Sequence, residues 1–239
     1  MLHVTVALPS GQGETFSLES SCKVGDLRAL AQNLLRRGFL RLVAADHSEV
    51  DPTLSLQAAG LEDGDHLTAI AVEPKLAKTH SVFALFFSGG NRVVTWGDPG
   101  YGGDSSEVQD QLKGVQQIQA TYCAFAAILA DDVSLVTWGD PDYGGDSSEV
   151  QDQLKGVQQI QATDKAFAAI LADGLVVTWG DPDYGGDSSE VQDQPKGVQQ
   201  VQATDYAFAA ILADGSVVTW GIPGYGGDTS AIADQFAYV

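Results

Sequence analysis

VTWGDPDYGGDSSEVQDQLKGVQQIQATDKAFAAILADG, residues 136–174, recurs almost letter for letter through the second half of this chain, and its period decides the fold. Trp-Gly pairs stand at Trp96, Trp138, Trp179 and Trp220, spaced 42, 41 and 41 residues apart. Weaker copies flank them. HSVFALFFSGGNRVVTWG at 80–97 matches the same hairpin segment, and DTSAIADQFAYV at 228–239 matches DSSEVQDQLKGV. Residues 73–239 number 167, close to four units of 41 with two single-residue insertions, so four permuted units are expected. A fixed period in this range is the signature of a repeat architecture.

Each unit reads as β. AFAAILA and VVTW flank Asp-Gly at Asp173-Gly174 and Asp214-Gly215, a hairpin signal that predicts a type I′ turn with positive φ at both central residues. GVQQIQAT supplies a third short strand through Val157 and Ile160, although its alternation slips by one. Gly-Gly at 102–103, 144–145, 185–186 and 226–227 marks a sharp loop after each Trp-Gly. In the second unit Asp131-Asp132-Val133-Ser134 replaces Asp-Gly-Ser, which predicts a bulged and locally weaker turn. One such unit cannot bury its own apolar face, so neighbours must stack. The alanines suit a close approach of strands, and each Trp is expected to fill the space between units. Copies this similar at surface positions reflect duplication, so their sameness says nothing about chemistry.

The unit resembles the regulator-of-chromosome-condensation repeat. That family's blade carries a strand rich in small residues, an Asp-Gly turn, a Val-x-x-Trp-Gly strand and a Tyr-Gly loop. Here these fall on Ala166–Ala172, Asp173-Gly174, Val176–Gly180 and Tyr184-Gly185. The unit is shorter than the family's, and there are four copies instead of seven. A seven-bladed ring is therefore not available to one chain. The resemblance implies a propeller-like ring or arc, with a β-solenoid or β-prism as the alternative. The family includes exchange factors for small GTPases and the repeat arms of HECT-type ubiquitin ligases.

Residues 1–72 form a different pattern. Leu2, Val4, Val6 and Leu8 alternate, as do Phe16 and Leu18 after PSGQG, predicting an antiparallel hairpin. Val24, Leu27, Leu30, Ala31 and Leu34 then repeat at helical spacing. Ser20 or Ser21 is expected to cap this helix, Arg36-Arg37 to fill its last turn and Gly38 to stop it. FLRLVAAD and LEDGDHLTAIAV supply two further strands, giving the order β-β-α-β-β of a β-grasp.

This order resembles ubiquitin-like domains. Lys23-Val24-Gly25-Asp26-Leu27, Arg41-Leu42-Val43 and the stretch from Leu61 to Leu67 carry the likeness. Where the β-grasp ends, Ala71-Val72-Glu73-Pro74 replaces a terminal Gly-Gly, so the resemblance implies a fixed docking module and not a conjugated tag. Gly89-Gly90 reads as a turn within the first repeat hairpin. By alignment the partner-facing patch falls on Pro9, Val43 and Ile70, with Ala44 beside them. The alternative is that Val43 and Ile70 serve a core.

Composition narrows the function. The net charge is −20, with 32 acidic against 12 basic residues. Residues 1–72 hold nine acidic and five basic residues, and 73–239 hold twenty-three and seven, so the repeats carry most of the excess. Such a field repels phosphate, which argues against nucleic acid and anionic membranes as partners. Cys22 and Cys123 are too few and too far apart for a disulfide framework or a cysteine zinc site. No apolar run approaches a membrane span and the start lacks a signal-peptide pattern, so a cytoplasmic, alternatively nuclear, protein is expected.

A search for chemistry finds little. His3, His47, His66 and His80 show no ligand spacing, and Cys22 has no neighbouring base except Lys23. The strongest candidate is the loop DPDYGGDSSE, with Asp140, Asp142, Asp146 and Glu149 in one copy and Asp181, Asp183, Asp187 and Glu190 in the next. Calcium favours six to eight oxygens from such loops. The spacing fits neither an EF-hand nor the glycine-rich nonapeptide repeat, and solvated turns whose carboxylates hold backbone donors are the better reading. No HECT module, RING cluster or phosphate-binding glycine loop is present, so the chain is expected to be no enzyme and to need no cofactor. The leading expectation is an adaptor with a ubiquitin-like docking head and an acidic repeat platform, its protein partners drawn from the ubiquitin pathway or a small GTPase. Nucleotide exchange on that GTPase and a calcium-binding structural module are the alternatives.

Overall fold

Alternation makes the first hairpin: β1 (Leu2–Ala7) pairs antiparallel with β2 (Gly13–Leu18), matching Val4 with Phe16. The helix α1 (Val24–Leu34) follows, then β3 (Phe39–Val43) and β4 (His66–Val72). The computed structural model describes residues 1–90, 92–130, 134–189 and 197–230. The chain divides into two units, Met1–Pro74 and Lys75–Val239, each taken by itself below.

In the first unit the strands order as β2-β1-β4-β3, with β1 and β4 parallel and β3 antiparallel to β4. Val4, Val6, Leu40, Leu42, Leu67 and Ala69 point inward from the sheet against Val24, Leu27, Ala31 and Leu35 of the helical segment. Burying each large side chain contributes about 1.5–3 kcal/mol. The helix ends differ from expectation. Lys23, not Ser20 or Ser21, is the capping residue, and its backbone N–H donates to Asp26 Oδ2 at 3.1 Å. Asp26 thus satisfies the backbone donor of the capping residue itself, the half of a capping box that the third helical residue supplies. At the other end Leu35 is the cap and Arg36 takes the left-handed turn at φ 51°, so the helix stops before Gly38 and neither arginine lies in its last turn. Leu30 and Leu34 are exposed, because the buried stripe runs through Leu27, Ala31 and Leu35.

The second unit contains four three-stranded sheets among its described residues. They are β5 (Pro74–Lys78), β6 (Val82–Phe87) and β7 (Val94–Gly97); β8 (Val115–Ala120), β9 (Ala124–Leu129) and β10 (Leu135–Gly139); β11 (Val157–Ala162), β12 (Ala166–Leu171) and β13 (Val176–Gly180); β14 (Val198–Ala203), β15 (Ala207–Leu212) and β16 (Val217–Gly221). The phase slip in GVQQIQAT is a β-bulge. Val157 pairs with Leu171 but Gln159 with Ile170, leaving one extra residue between two positions that both face inward. Val157 and Ile160, three apart, are consequently both fully buried.

The Asp-Gly turns are not type I′. Gly174 alone in its turn has positive φ, its N–H donates to Leu171 O at 2.9 Å, and Leu171 N–H donates to Leu175 O. This is the three-residue hairpin, a type I turn closed by a left-handed glycine. Asp173 earns its place by accepting from Leu175 N–H, not by adopting positive φ. Gly215 repeats the arrangement. The first hairpin turns at Gly89-Gly90, where Gly90 N–H donates to Phe87 O. Of the variant turn at 131–134, residues 131–133 lie outside the described residues.

Alternation along the middle strand explains why AFAAIL is buried throughout in the inner sheets. Ala124, Ala126 and Ile128 of β9 pack against Phe167, Ala169, Leu171 and Trp179 of the next sheet. Phe125, Ala127 and Leu129 of the same strand pack back against Val82, Ala84 and Phe86 of the sheet before. The third and fourth sheets meet in the same way, through Ala166, Ala168 and Ile170 on one side and Phe208, Ala210 and Trp220 on the other. Alanine on one face leaves room for Phe and Trp on the other.

A hydrogen bond fixes each junction. The indole of Trp138 donates to Gly102 O at 3.1 Å, Trp179 to Gly144 O at 3.0 Å and Trp220 to Gly185 O at 3.1 Å. Each indole also stacks on the phenylalanine of its own sheet, as Phe167 and Trp179 do at 5.1 Å. Trp96 departs from the expectation that every Trp fills a junction, since no sheet precedes its own in this unit; it is 45% exposed against 5% for the other three. At the far end no described residue stands within 4 Å of a Cβ built on Gly226, whereas Phe167 lies 2.7 Å from one built on Gly144. Among the described residues the two ends of the array do not meet and form no closed ring.

Candidate interaction surfaces

The three head residues singled out from the sequence lie at one side of the first unit's sheet but differ in what they offer. Val43 and Ile70 sit on neighbouring strands, Val43 opposite Thr68 and Arg41 opposite Ile70, so the pair is diagonal on the face away from the helix. Ala7 lies beside Thr68 in the parallel pairing, and Pro9 is exposed just past the end of β1. Val43 is only 8% exposed, its strand bridged there to Glu49. Ile70 is half-buried. The same face carries Phe39, which is exposed and pairs across the strands with Val72. Sequence reasoning missed Phe39 because its i, i+2 partners Arg41 and Val43 mix charge with apolar character. Beside them Arg41 Nη1 stands 3.7 Å from Glu49 Oε2. Burial pushes the Glu49 carboxyl up, with Arg41 offsetting part of the effect.

In the acidic loops, short 3₁₀ turns at Pro141–Tyr143 and Pro182–Tyr184 follow each Trp-Gly. Asp140 Oδ1 accepts from Asp142 N–H and Asp181 Oδ1 from Asp183 N–H, both at 3.0 Å. Asp146 accepts from Ser148 N–H at 2.9 Å and Asp187 from Ser189 N–H at 2.8 Å. Asp142, Asp183 and Glu149 are exposed, and Glu190 lies outside the described residues. Among the described residues no group of three or more His, Cys, Asp or Glu is arranged to hold a metal ion. Of the carboxylates named as calcium candidates, Asp140, Asp146, Asp181 and Asp187 each accept a backbone N–H two residues on, the local use that Asx turns make of them.

These bonds set an acid limit. Backbone donation from Ser106, Ser148, Ser189 and Ser230 holds Asp104, Asp146, Asp187 and Asp228 below the ordinary value of 3.8. A carboxyl depressed in the folded state adds stability above its unfolded pKa, and that part is lost as pH falls through the folded one. The melting temperature of the repeats is therefore expected to drop as pH is lowered below 3.8. Asp146→Asn with Asp187→Asn, which retain the acceptor, should flatten that drop in a thermal titration.

A row of side chains absent from the sequence-level picture lies along the loops of the second unit. Lys165 Nζ sits 4.8 Å from the Tyr184 ring centroid and 5.2 Å from that of Tyr143, and 3.4 Å from Asp181 Oδ2. Burial would lower the Lys165 ammonium, but the Asp181 hydrogen bond and charge outweigh it and hold it above its ordinary value. Tyr206 joins Tyr184 to Tyr225, with centroids 5.7 and 4.5 Å apart, and His80 stacks on Tyr122 at 4.4 Å. Backbone bonds run underneath from sheet to sheet, His80 N–H to Tyr122 O, Tyr122 N–H to Asp164 O and Asp164 N–H to Asp205 O. Burial, then the Asp205 charge, pushes the Asp164 carboxyl up. The only sequence signal for this row was the variation at one repeat position, Cys123, Lys165 and Tyr206. Cys123 itself is buried, and burial followed by Asp140 and Asp98 raises its thiol, which disfavours the reactive thiolate. Nearby, a groove of about 960 Å³ runs between the first two Trp-Gly loops, lined by Asp104, Glu107, Asp146 and the Trp138 segment.

No protein-family model matches the chain, and no curated protein matches it. Among solved structures it is similar to ATBAG1 in complex with HSP70, at 16% identity and TM-score 0.28, over 30% of this chain and 40% of that one. It is similar to the ectodomain of the Physcomitrella patens receptor kinase CR4, at 20% identity and TM-score 0.40, over 64% of this chain and 40% of that one. It is also similar to ubiquitin of Caldiarchaeum subterraneum, at 18% identity and TM-score 0.28, over 29% of this chain and 91% of that one. The chain thus spans two-fifths of the length of the first two. The ubiquitin neighbour covers less than a third of this chain, and the remainder is rich in β-strand. Among the described residues no helix is long and apolar enough to cross a membrane.

Proposed function

We propose that this protein is a non-catalytic adaptor that binds other proteins of the ubiquitin pathway through its first unit and basic partners through its acidic repeats. The observation that carries the reading is the outer face of the first unit's sheet, where exposed Phe39 and half-buried Ile70 lie beside Val72, away from the helix that fills the core. An apolar group of this kind on a small module is a docking surface. The likeness of the Trp-Gly units to regulator-of-chromosome-condensation repeats supports a platform role for the second unit. Its charge, most of the net −20, favours fast encounter with basic surfaces.

The test is titration of the full chain with a helical ubiquitin-receptor module, followed by calorimetry. Ile70→Asp is expected to weaken binding at least about tenfold, equivalent to about 1.4 kcal/mol, without lowering the melting temperature appreciably. Raising the salt should slow association more than it speeds dissociation. Absence of binding, or binding that Ile70→Asp and Phe39→Ser both leave unchanged, contradicts the proposal.

A further inference from the structure

The inner junctions of the repeats show what covers each kind of sheet face, and the two ends of the array present the unmatched halves of that same junction. On the first sheet Phe83 and Trp96 stack at 5.5 Å and are 44% and 45% exposed. They occupy the places of Phe125 and Trp138, as the pairings Phe83 with Trp96 and Phe125 with Trp138 show. Inside the array that aromatic face is covered by the alanine face and Gly loop of the sheet before.

The last sheet keeps the complementary half. Ala209 and Ile211 stand where Ala168 and Ile170 face the next sheet, while Ala207 at the end of the strand is itself 2% exposed. Ile211 is 42% exposed against 5% for Ile170, and Tyr225 is 60% exposed where Tyr143 and Tyr184 pack on a following core. The Pro223–Tyr225 turn and the left-handed Gly226 are retained, with open space above Gly226 where an indole and a phenyl ring stand over Gly102, Gly144 and Gly185. Among the described residues the glycine gap is kept and no tryptophan stands over it.

We infer that the aromatic end of one copy docks on the alanine–glycine end of a second copy, repeating the junction that joins consecutive sheets within the chain. The occupant is a second copy because the two faces fit each other by a contact already made three times: indole to glycine carbonyl, with Phe and Trp over alanine. Such an interface is head-to-tail. It closes into a ring if its rotation allows and otherwise extends. Two copies of charge −20 repel, so added salt should strengthen the contact, opposite to its effect on a basic partner.

Sedimentation velocity of the full chain, from about 1 to about 100 μM, tests this over the range in which a modest interface populates. Mass is expected to rise above 25.1 kDa with concentration, more so at moderate salt. Phe83→Asp and Ile211→Asp, both at exposed positions, should each remain monomeric alone. Mixed together they should form a dimer and stop there, because each variant retains one good end. Tyr225→Asp serves as a second variant of the tail end, and circular dichroism confirms folding. A chain that stays monomeric throughout overturns the inference, as does association that both variants retain. Association of the wild type with no dimer in the mixture points to a face-to-face contact and overturns it equally.

Discussion

Trp179→Ala is expected to lower the stability of the repeat unit by about 3–5 kcal/mol, the usual effect of removing a buried large aromatic. The ring is 5% exposed, stacks on Phe167 and donates to Gly144 O, so truncation leaves both a cavity and an unpaired carbonyl. Trp96→Ala removes the same letters from the same motif. There the ring is 45% exposed and no sheet precedes its own within this unit, and a loss of about 1 kcal/mol is expected. Denaturant melts of the two variants provide the comparison. Equal effects would mean that the Trp-Gly motif acts within its own sheet and not between sheets.

Gly144→Ala should be nearly as damaging, and Gly226→Ala mild. Both glycines are left-handed, at φ 84° and 104°, so either alanine incurs about 1–2 kcal/mol of backbone strain. At Gly144 the added methyl also meets Phe167 Cδ2 at 2.7 Å and Trp179 Cδ1 at 3.5 Å, which adds about 1–3 kcal/mol of overpacking. At Gly226 it meets nothing within 4 Å. The difference between the two variants, read from thermal or denaturant midpoints, isolates the contact between sheets from the conformational preference of glycine.

The parts of this fold that were legible in the sequence are those set by local periodicity. The hairpin of Leu2, Val4, Val6 and Phe16, the Val24–Ala31 helix face and the three strands per repeat follow from spacing alone. The misreadings arose where two local solutions compete. Asp-Gly serves a two-residue or a three-residue hairpin, and here Asp173 contributes a side-chain acceptor while only Gly174 goes left-handed. Helix capping by the backbone of Lys23 and the Asp26 carboxylate was hidden because Ser20 and Ser21 are better caps by side-chain chemistry. The slip in GVQQIQAT was visible, but only the pairing of Gln159 with Ile170 shows it to be a bulge that keeps Val157 and Ile160 on one face.

The candidate surfaces were less legible, for a physical reason. Exposure depends on what lies across a face, and identical repeats give no hint of which copy stands at an end. Trp96 and Trp179 share their neighbours in sequence yet differ ninefold in exposure. Likewise Val43 and Ile70 share a sheet face, but the bridge to Glu49 covers the first and not the second. The Lys165 slot between Tyr143 and Tyr184 joins residues from three different loops, so no local motif could announce it.

Acrylamide quenching of tryptophan emission, in dilute protein where copies stay apart, tests the stacked-junction account most directly. One of the four indoles should be accessible and red-shifted, and Trp96→Phe should abolish that component while leaving three shielded, blue-shifted emitters. Uniform quenching of all four, or an accessible fraction that Trp96→Phe leaves in place, would show that the sheets are not locked by their tryptophans.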